Sequence, residues 1–363
     1  MSLVHNSSAA AALITLTDTL VPNLVGNGSY EKPYIPDTSK IRTAVLILYL
    51  LGFCFGVVGN CLVIGIIGHY KKIRVKSVAN YYIWNLSLAD LLFILTLPFF
   101  SYTTFTEDWP FGEITCKVSF AFRETNRFSS VFILVVLSWD RFMASFYDIS
   151  QFRTIKLGKI ICVLIWLVCG TLSIPYWIYA QTELTSANQT RCTFHWPSEY
   201  KLEYMRTWTY FQLVIGLLLP LVMIATSYLL LTFRLKRVLH GTSHSSALQK
   251  PSHKMTRTVL VVVLTFLLCQ TPYYLMEIWA LLQQQKVHEH QLQGEKFWPS
   301  RTEVDTFLYL NAVAQMLVFI SSSINPILYG LLNDNYSKWR VLNITTYFHL
   351  VLRYYSSLLV TTL

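Results

Sequence analysis

Residues 116–142 read CKVSFAFRETNRFSSVFILVVLSWDRF, and the rest of the chain is organised around them. Residues 128–139 are apolar enough to sit in a membrane. Arg123, Glu124, Asn126 and Arg127 lie near one end and Asp140-Arg141 at the other. Charges at such depth are costly, so they usually face a water-filled cavity, a partner or a functional site. Arg123 and Arg141 stand five helical turns apart on one face, about 27 Å along the axis. That span is close to the ~30 Å hydrocarbon thickness of a bilayer. A helix charged on one face at both membrane surfaces has the form of a transmission rod.

Composition points the same way. The chain has 363 residues, 53% hydrophobic and 13% charged, whereas soluble domains carry about 25% charged residues. Aromatic residues make up 15%, which suits membrane interfaces, where Trp and Tyr concentrate. The net charge of +10 does not signal nucleic-acid binding, because the charges sort by membrane side, as shown below. Seven cysteines occur with no CxxC and no Cys/His cluster, so zinc and redox chemistry are not supported. No basic region precedes the weakly apolar AAAALITL near the start, so no cleaved signal peptide is expected.

Seven apolar segments follow one another, at 43–68, 78–104, 115–146, 157–180, 204–235, 255–282 and 304–331. Each is long enough to span a bilayer, and none alternates with period two. Backbone groups in hydrocarbon must be satisfied internally, so the segments are helices. The expected fold is an all-α membrane bundle of seven helices, followed by a short amphipathic helix at 333–342 on the membrane surface.

The connecting loops set the orientation. Residues 69–76, 146–159 and 234–257 are rich in Lys and Arg, and the tail adds Lys338, Arg340 and Arg353. The opposite loops mix signs, for example Glu183, Glu199 and Glu203 against Arg191, Lys201 and Arg206. The basic side belongs in the cytoplasm, which leaves the N-terminus outside. The basic excess also favours anionic membrane lipids. Sequons at Asn6, Asn27 and Asn188 fall on the outer side, where N-glycosylation occurs; those at Asn85 and Asn343 are read as chance. The expected organisation is an outer glycosylated tail (1–42), a seven-helix domain (43–332), and a cytoplasmic amphipathic helix with a short tail (333–363). Cys116 and Cys192 lie on the oxidising outer side, whereas five cysteines fall inside helices. A bridge between the two would tie the second outer loop over the third helix.

Motifs now accumulate in order. They are Gly59-Asn60, Asn85-Leu86-Ser87-Leu88-Ala89-Asp90, Asp140-Arg141-Phe142 and Trp166. Pro220 with Tyr228, Cys269-Gln270-Thr271-Pro272 and Asn325-Pro326-Ile327-Leu328-Tyr329 complete the set. With these motifs the chain resembles rhodopsin-like (class A) G-protein-coupled receptors along its whole membrane portion. Thr96-Leu97-Pro98-Phe99, Trp109-Pro110-Phe111-Gly112, Phe152-Arg153-Thr154 and Arg234-Leu235-Lys236 narrow the likeness. They resemble the somatostatin, opioid, galanin and allatostatin-C peptide receptors. The resemblance implies an extracellular peptide ligand and a heterotrimeric G protein of Gi/o type inside; no His/Asp/Ser constellation or metal spacing appears in the sequence, so no enzymatic activity is expected.

It also implies roles for residues. Asp90, Asn126, Ser130, Ser321 and Asn325 bring one carboxylate together with neutral oxygens. That set suits a monovalent cation and matches the family's allosteric sodium pocket; a purely structural polar network is the alternative. Asp140 would hold Arg141 at rest, Tyr228 and Tyr329 would support the active state, and Pro272 would be the pivot of the sixth helix. Phe142 replaces the usual Tyr. Ser252, His253 and Lys254 offer no acid to Arg141, which puts an inter-helix ionic lock in doubt. Pro98, Pro175, Pro220, Pro272 and Pro326 are expected to interrupt their helices.

The ligand pocket departs most from the relatives. Amine, opioid and somatostatin receptors have Asp where this chain has Arg123, and Arg127 follows one turn deeper. The arginines suit a carboxylate or sulfate on the ligand, unless Glu124 or Glu277 neutralises them internally. Gln270 replaces the usual Trp of the pocket floor and is placed to hydrogen-bond Arg127 or Asn126. Tyr274, Glu277, Asn311, Gln315 and Phe319 would line the facing helices. Two other readings carry weight: a non-signalling scavenger receptor, and a transporter, for which internal repeats are missing.

Overall fold

The computed structural model describes residues 39–69, 78–106, 108–144, 153–185, 188–197, 200–240, 246–294 and 299–332. Asn6, Asn27, the 333–342 helix and the tail residues fall outside these, as do the side chains of Ser252, His253 and Lys254. The first half of the described chain runs α1 (Ser39–His69), α2 (Val78–Ile94), α3 (Leu97–Thr106), α4 (Gly112–Met143), α5 (Ile155–Leu172) and α6 (Ile174–Tyr179). A hairpin of β1 (Ala180–Leu184) and β2 (Thr190–Phe194) follows. Next come α7 (Lys201–Leu213), a π-helical turn (Val214–Leu218), α8 (Leu219–His240), α9 (Ser246–Leu292) and α10 (Arg301–Leu332). Three predicted spans are therefore each built from consecutive pieces: α2 with α3, α5 with α6, and α7 with the π turn and α8. The sixth span was read as 255–282 but forms one helix of 47 residues. The outer hairpin was not anticipated.

Among the described residues, six spans are long and apolar enough to cross a membrane. The remaining one, α4, has too much charge to qualify. It makes up the difference by position, because 19 of its 32 residues are buried and it packs against α2, α5, α8, α9 and β1. Polar groups on α4 thus meet protein, while large side chains such as Phe55, Phe233 and Leu268 stand exposed on the bundle's outer wall, where hydrocarbon accepts them. The core of the inner half joins Ile67, Leu86, Phe128, Leu137, Val262 and Tyr329. A smaller aromatic cluster of Trp109, Phe120 and Tyr176 closes the outer end around Cys116.

The prolines behave in two ways. Pro98 and Pro175 sit at the breaks between α2 and α3 and between α5 and α6, and Pro220 follows the π turn. Pro272 and Pro326 instead lie inside helices that continue through them, which corrects the expectation of an interruption at every proline. Proline still removes one N–H from each ladder. At Pro326 the carbonyl left over is that of Ser322, and Asn60 Nδ2 on α1 donates to it at 3.1 Å. Gly59 permits the approach, since a Cβ there would come within 3.0 Å of the Pro326 ring. The Gly-Asn pair thus closes α1 onto α10 at Pro326.

Candidate functional site

The outer rim is stitched by covalent and polar bonds. Cys116 on α4 is bridged to Cys192 on β2, with Cα atoms 5.6 Å apart. The loop before α4 is pinned to the same strand: Trp109 N–H donates to Thr190 O, and Thr190 N–H donates to Asp108 Oδ1, each at 2.8 Å. Trp109 Nε1–H donates to Gly112 O at 2.9 Å. Gly112 has φ of 78°, a conformation that only glycine adopts freely, which explains the last residue of Trp-Pro-Phe-Gly. Asn188, also at positive φ, is exposed in the hairpin connection.

Beneath this rim opens a small cavity of about 90 Å³. Arg123 of α4, Gln212 and Trp208 of α7, Tyr273 and Glu277 of α9, and Lys201 line it. Of the pocket residues named from sequence, Arg123 and Glu277 reach the lining. The others form a layer below or beside it. Glu124, fully buried, accepts from Arg123 Nε at 3.3 Å and stands 3.0 Å from Arg127 Nη1. Gln212 Nε2 donates to Glu124 Oε2 and to Tyr176 Oη, both at 3.0 Å, and Trp208 Nε1 donates to Tyr176 Oη at 3.0 Å. Arg127 lies over the Tyr273 ring at 4.1 Å and Arg123 over Phe120 at 4.7 Å. Both are cation–π contacts. The structure therefore shows the internal option: Glu124 holds both arginines. Two guanidiniums on one carboxylate still leave one unit of positive charge, and Glu277 shares the cavity wall with it.

The other named residues divide. Tyr274 is buried with its hydroxyl against Gly216 of the π turn, where a Cβ would come within 2.2 Å. Gln270 is buried, yet the hydrogen bonds expected to Arg127 or Asn126 do not form; its Oε1 has no partner among the described residues. Asn311 and Gln315 are buried on α10. Phe319 is corrected outright: it stacks on Phe93 at 4.8 Å and meets Tyr49 edge-on at 4.7 Å, inside an apolar cluster rather than on the cavity. Gln212, Tyr176 and Tyr273 were missed from sequence. A lone Gln in an apolar stretch was a signal that could have found the first.

At mid-bundle, Asp90 accepts from Asn126 Nδ2 at 3.0 Å and from Asn325 Nδ2 at 2.8 Å. Asn126 Nδ2 also donates to Ser130 Oγ at 3.2 Å, and Ser322 Oγ donates to Asn126 Oδ1 at 3.4 Å. The serine that joins is thus Ser322 and not Ser321, because one residue turns the side chain by about 100° around a helix. The donor set, one carboxylate with amide and hydroxyl oxygens, fits a hard monovalent cation.

At the inner end, Asp140 is ion-paired with its neighbour Arg141. It also accepts a fork from Arg153, with Nε to Oδ1 at 3.0 Å and Nη2 to Oδ2 at 2.9 Å. Tyr228 Oη reaches Thr256 O at 3.5 Å, and Tyr329 is buried in the inner core. Pro272 lies in α9 between the cavity and this end.

This arrangement can be compared with known proteins. Residues 59–329 match the model of the 7 transmembrane receptor (rhodopsin family). The chain is 32% identical over 316 residues to mouse (Mus musculus) somatostatin receptor type 2, covering 86% of this chain and 79% of that one. It is 32% identical over 302 residues to Xenopus laevis type-1 angiotensin II receptor A, covering 82% and 78%. A third relative is mouse chemerin-like receptor 2, 32% identical over 316 residues and covering 84% and 79%. With seven helical spans, an outer disulfide and a family match across most of its length, this multi-pass membrane chain is a receptor, not an enzyme, and belongs to the rhodopsin family of seven-transmembrane receptors.

Proposed function

We propose that the chain is a plasma-membrane receptor for an extracellular peptide that signals through a heterotrimeric G protein of Gi/o type. Relatives named for somatostatin and angiotensin II, both peptides, support the ligand class. The N-terminus, residues 1–42, lies outside with glycans on Asn6 and Asn27 and a third on Asn188; residues 333–363 lie in the cytoplasm. Asp90, Asn126, Ser130, Ser322 and Asn325 hold an allosteric sodium ion. Asp140 and Arg141 face the G protein, with Tyr228, Pro272 and Tyr329 in the movement that exposes them.

One observation carries the ligand reading. Arg123 lines the outer cavity while its companion Arg127 lies beneath, and one carboxylate serves both. Glu124 holds Arg123 through Nε and Glu277 shares the cavity wall, so it is the end of the Arg123 guanidinium that takes a ligand carboxylate, a side-chain acid or a sulfate as a planar fork, beside Glu277. The test is a peptide library screened on transfected cells, followed by Arg123→Ala. Potency of the active peptide is expected to fall tenfold or more, roughly 1.4 kcal/mol, with surface expression intact; unchanged potency sinks the anion reading. Arg141→Ala serves as the control for nucleotide exchange on the G protein. Peptide binding that never drives exchange in the unaltered receptor would make it a scavenger instead.

A further inference from the structure

The cavity under the outer rim carries charges of both signs. Arg123 of α4 and Lys201 of α7 stand on its wall, and so does Glu277 of α9. Both arginines of α4 are already held by Glu124, and no ion pair reaches Glu277 among the described residues. Tyr273 gives the Glu277 carboxyl group a hydrogen bond. Its Oε1 is nonetheless buried, with no hydrogen-bond partner among the described residues. A carboxylate oxygen shut off from bulk water and left without a donor is costly. An acid kept at such a place within a membrane-spanning helix points to a partner that arrives from outside the chain.

The rest of the lining is largely aromatic and includes Phe120, Trp196 and Trp208. Rings hold water away, so charges on this wall act on one another across a low dielectric. A ligand that brought only an acid to Arg123 would set that acid against Glu277, and like charges juxtaposed at an interface are heavily penalised. A ligand that also carries a cation removes the repulsion and supplies the donor that Oε1 lacks. Size narrows the source. The cavity is about 90 Å³, against the ~150 Å³ of a cavity that holds a benzene ring. It therefore has room for one small part of a peptide, and both charges have to come from a single residue. Resting on the peptide-receptor reading and on Arg123 as the anion contact, we propose that Glu277 binds a ligand cation and that the cavity takes a peptide end residue charged with both signs. Two kinds of end have this chemistry: an N-terminal acidic residue with its free ammonium, and a C-terminal basic residue with its free carboxylate. In either, the carboxylate meets the end of the Arg123 guanidinium and the cation meets Glu277 Oε1.

The full-length receptor in nanodiscs is incubated with short synthetic peptide libraries whose inner positions are uncharged. Retained peptides are counted by mass spectrometry against empty nanodiscs. Two libraries have dipolar ends: a free N-terminal Asp or Glu with an amidated C-terminus, and a free C-terminal Lys or Arg with an acetylated N-terminus. Each has an acid-only match, made by acetylating the first and by placing Leu at the end of the second. One dipolar library is expected to be retained about tenfold over its match, and which one identifies the end. Glu277→Gln should erase that preference while acid-only peptides are retained at least as well as before, and Glu277→Asp, which keeps the charge, should preserve it. Equal retention of dipolar and acid-only peptides by the unaltered receptor, nil included, overturns the proposal, as does a preference that survives Glu277→Gln. Failure of the anion reading shows separately, as acid-only retention that Arg123→Ala leaves unchanged, and that outcome removes the proposal with it.

Discussion

Helix α4 carries the carboxylates of two charged triads that share one plan. At the outer end Glu124 serves Arg123 and Arg127; at the inner end Asp140 serves Arg141 and Arg153. Each is one carboxylate between two guanidiniums, so each triad taken by itself carries a surplus positive charge. The difference is in where the second arginine comes from. The outer triad lies within four residues of a single helix, and its side chains are at most 8% exposed. Gln212, Phe120 and Tyr273 wall it in. The inner triad borrows Arg153 from the residues leading into α5, and that side chain is 24% exposed. A carboxylate enclosed by its own helix is a fixed part of a pocket. A carboxylate shared with another element is a contact that can be exchanged, which is what the proposed G-protein-facing role of Asp140 and Arg141 requires.

The strongest way to break the comparison is Glu124→Gln. Losing one partner of a buried ion pair costs about 3–5 kcal/mol, because the remaining charge is stranded, and here two charges are stranded. Surface expression, read by flow cytometry on an N-terminal tag, is expected to fall tenfold or more. Adding Arg127→Met should recover most of it, since one guanidinium and its demand for a partner are then gone. Equal loss in single and double variants would show that Glu124 acts through something other than these arginines. Asp140→Asn is expected to do less to expression and more to signalling. Arg141 loses its resting partner, and ligand-independent nucleotide exchange on the G protein should rise about fivefold, roughly 1 kcal/mol of bias toward the active state.

These expectations also mark how far the sequence alone could be read. The seven spans and the Cys116–Cys192 bridge were legible, because hydropathy and the placing of cysteines outside the apolar runs are properties of composition and order. The cluster around Asp90 was legible to within one residue, and the miss between Ser321 and Ser322 is a matter of helix phase. What stayed hidden depends on rotation and bending between helices. Phe319 was assigned to the pocket, yet a slight turn of α10 carries it onto Phe93 and Tyr49. Gln212 and Tyr176 gain meaning from Glu124, which lies 88 and 52 residues away in the chain. The π turn that brings Gly216 to Tyr274 leaves no mark in an apolar run such as Val214–Leu218. Arg153 was noticed as part of a motif, but its pairing with Asp140 crosses from one helix to the next.

The smallest effect should come from that last pairing. Arg153 holds Asp140 in a fork of good geometry, 2.9 and 3.0 Å, but its partial exposure lets water screen the pair, and such contacts are typically worth about 0.2–1 kcal/mol. Removing it leaves Asp140 with Arg141, so the two remaining charges draw together rather than apart. Arg153→Ala is therefore expected to lower ligand-independent nucleotide exchange by about twofold, the opposite direction from Asp140→Asn. Asp140→Asn combined with Arg153→Ala should match Asp140→Asn, because the arginine has no carboxylate left to divert. Reading the four receptors in one exchange assay decides whether Arg153 competes with Arg141 for Asp140 or merely props the loop. If Arg153→Ala raises exchange, Arg153 restrains Arg141 through the shared carboxylate, and the inner triad is as fixed as the outer one.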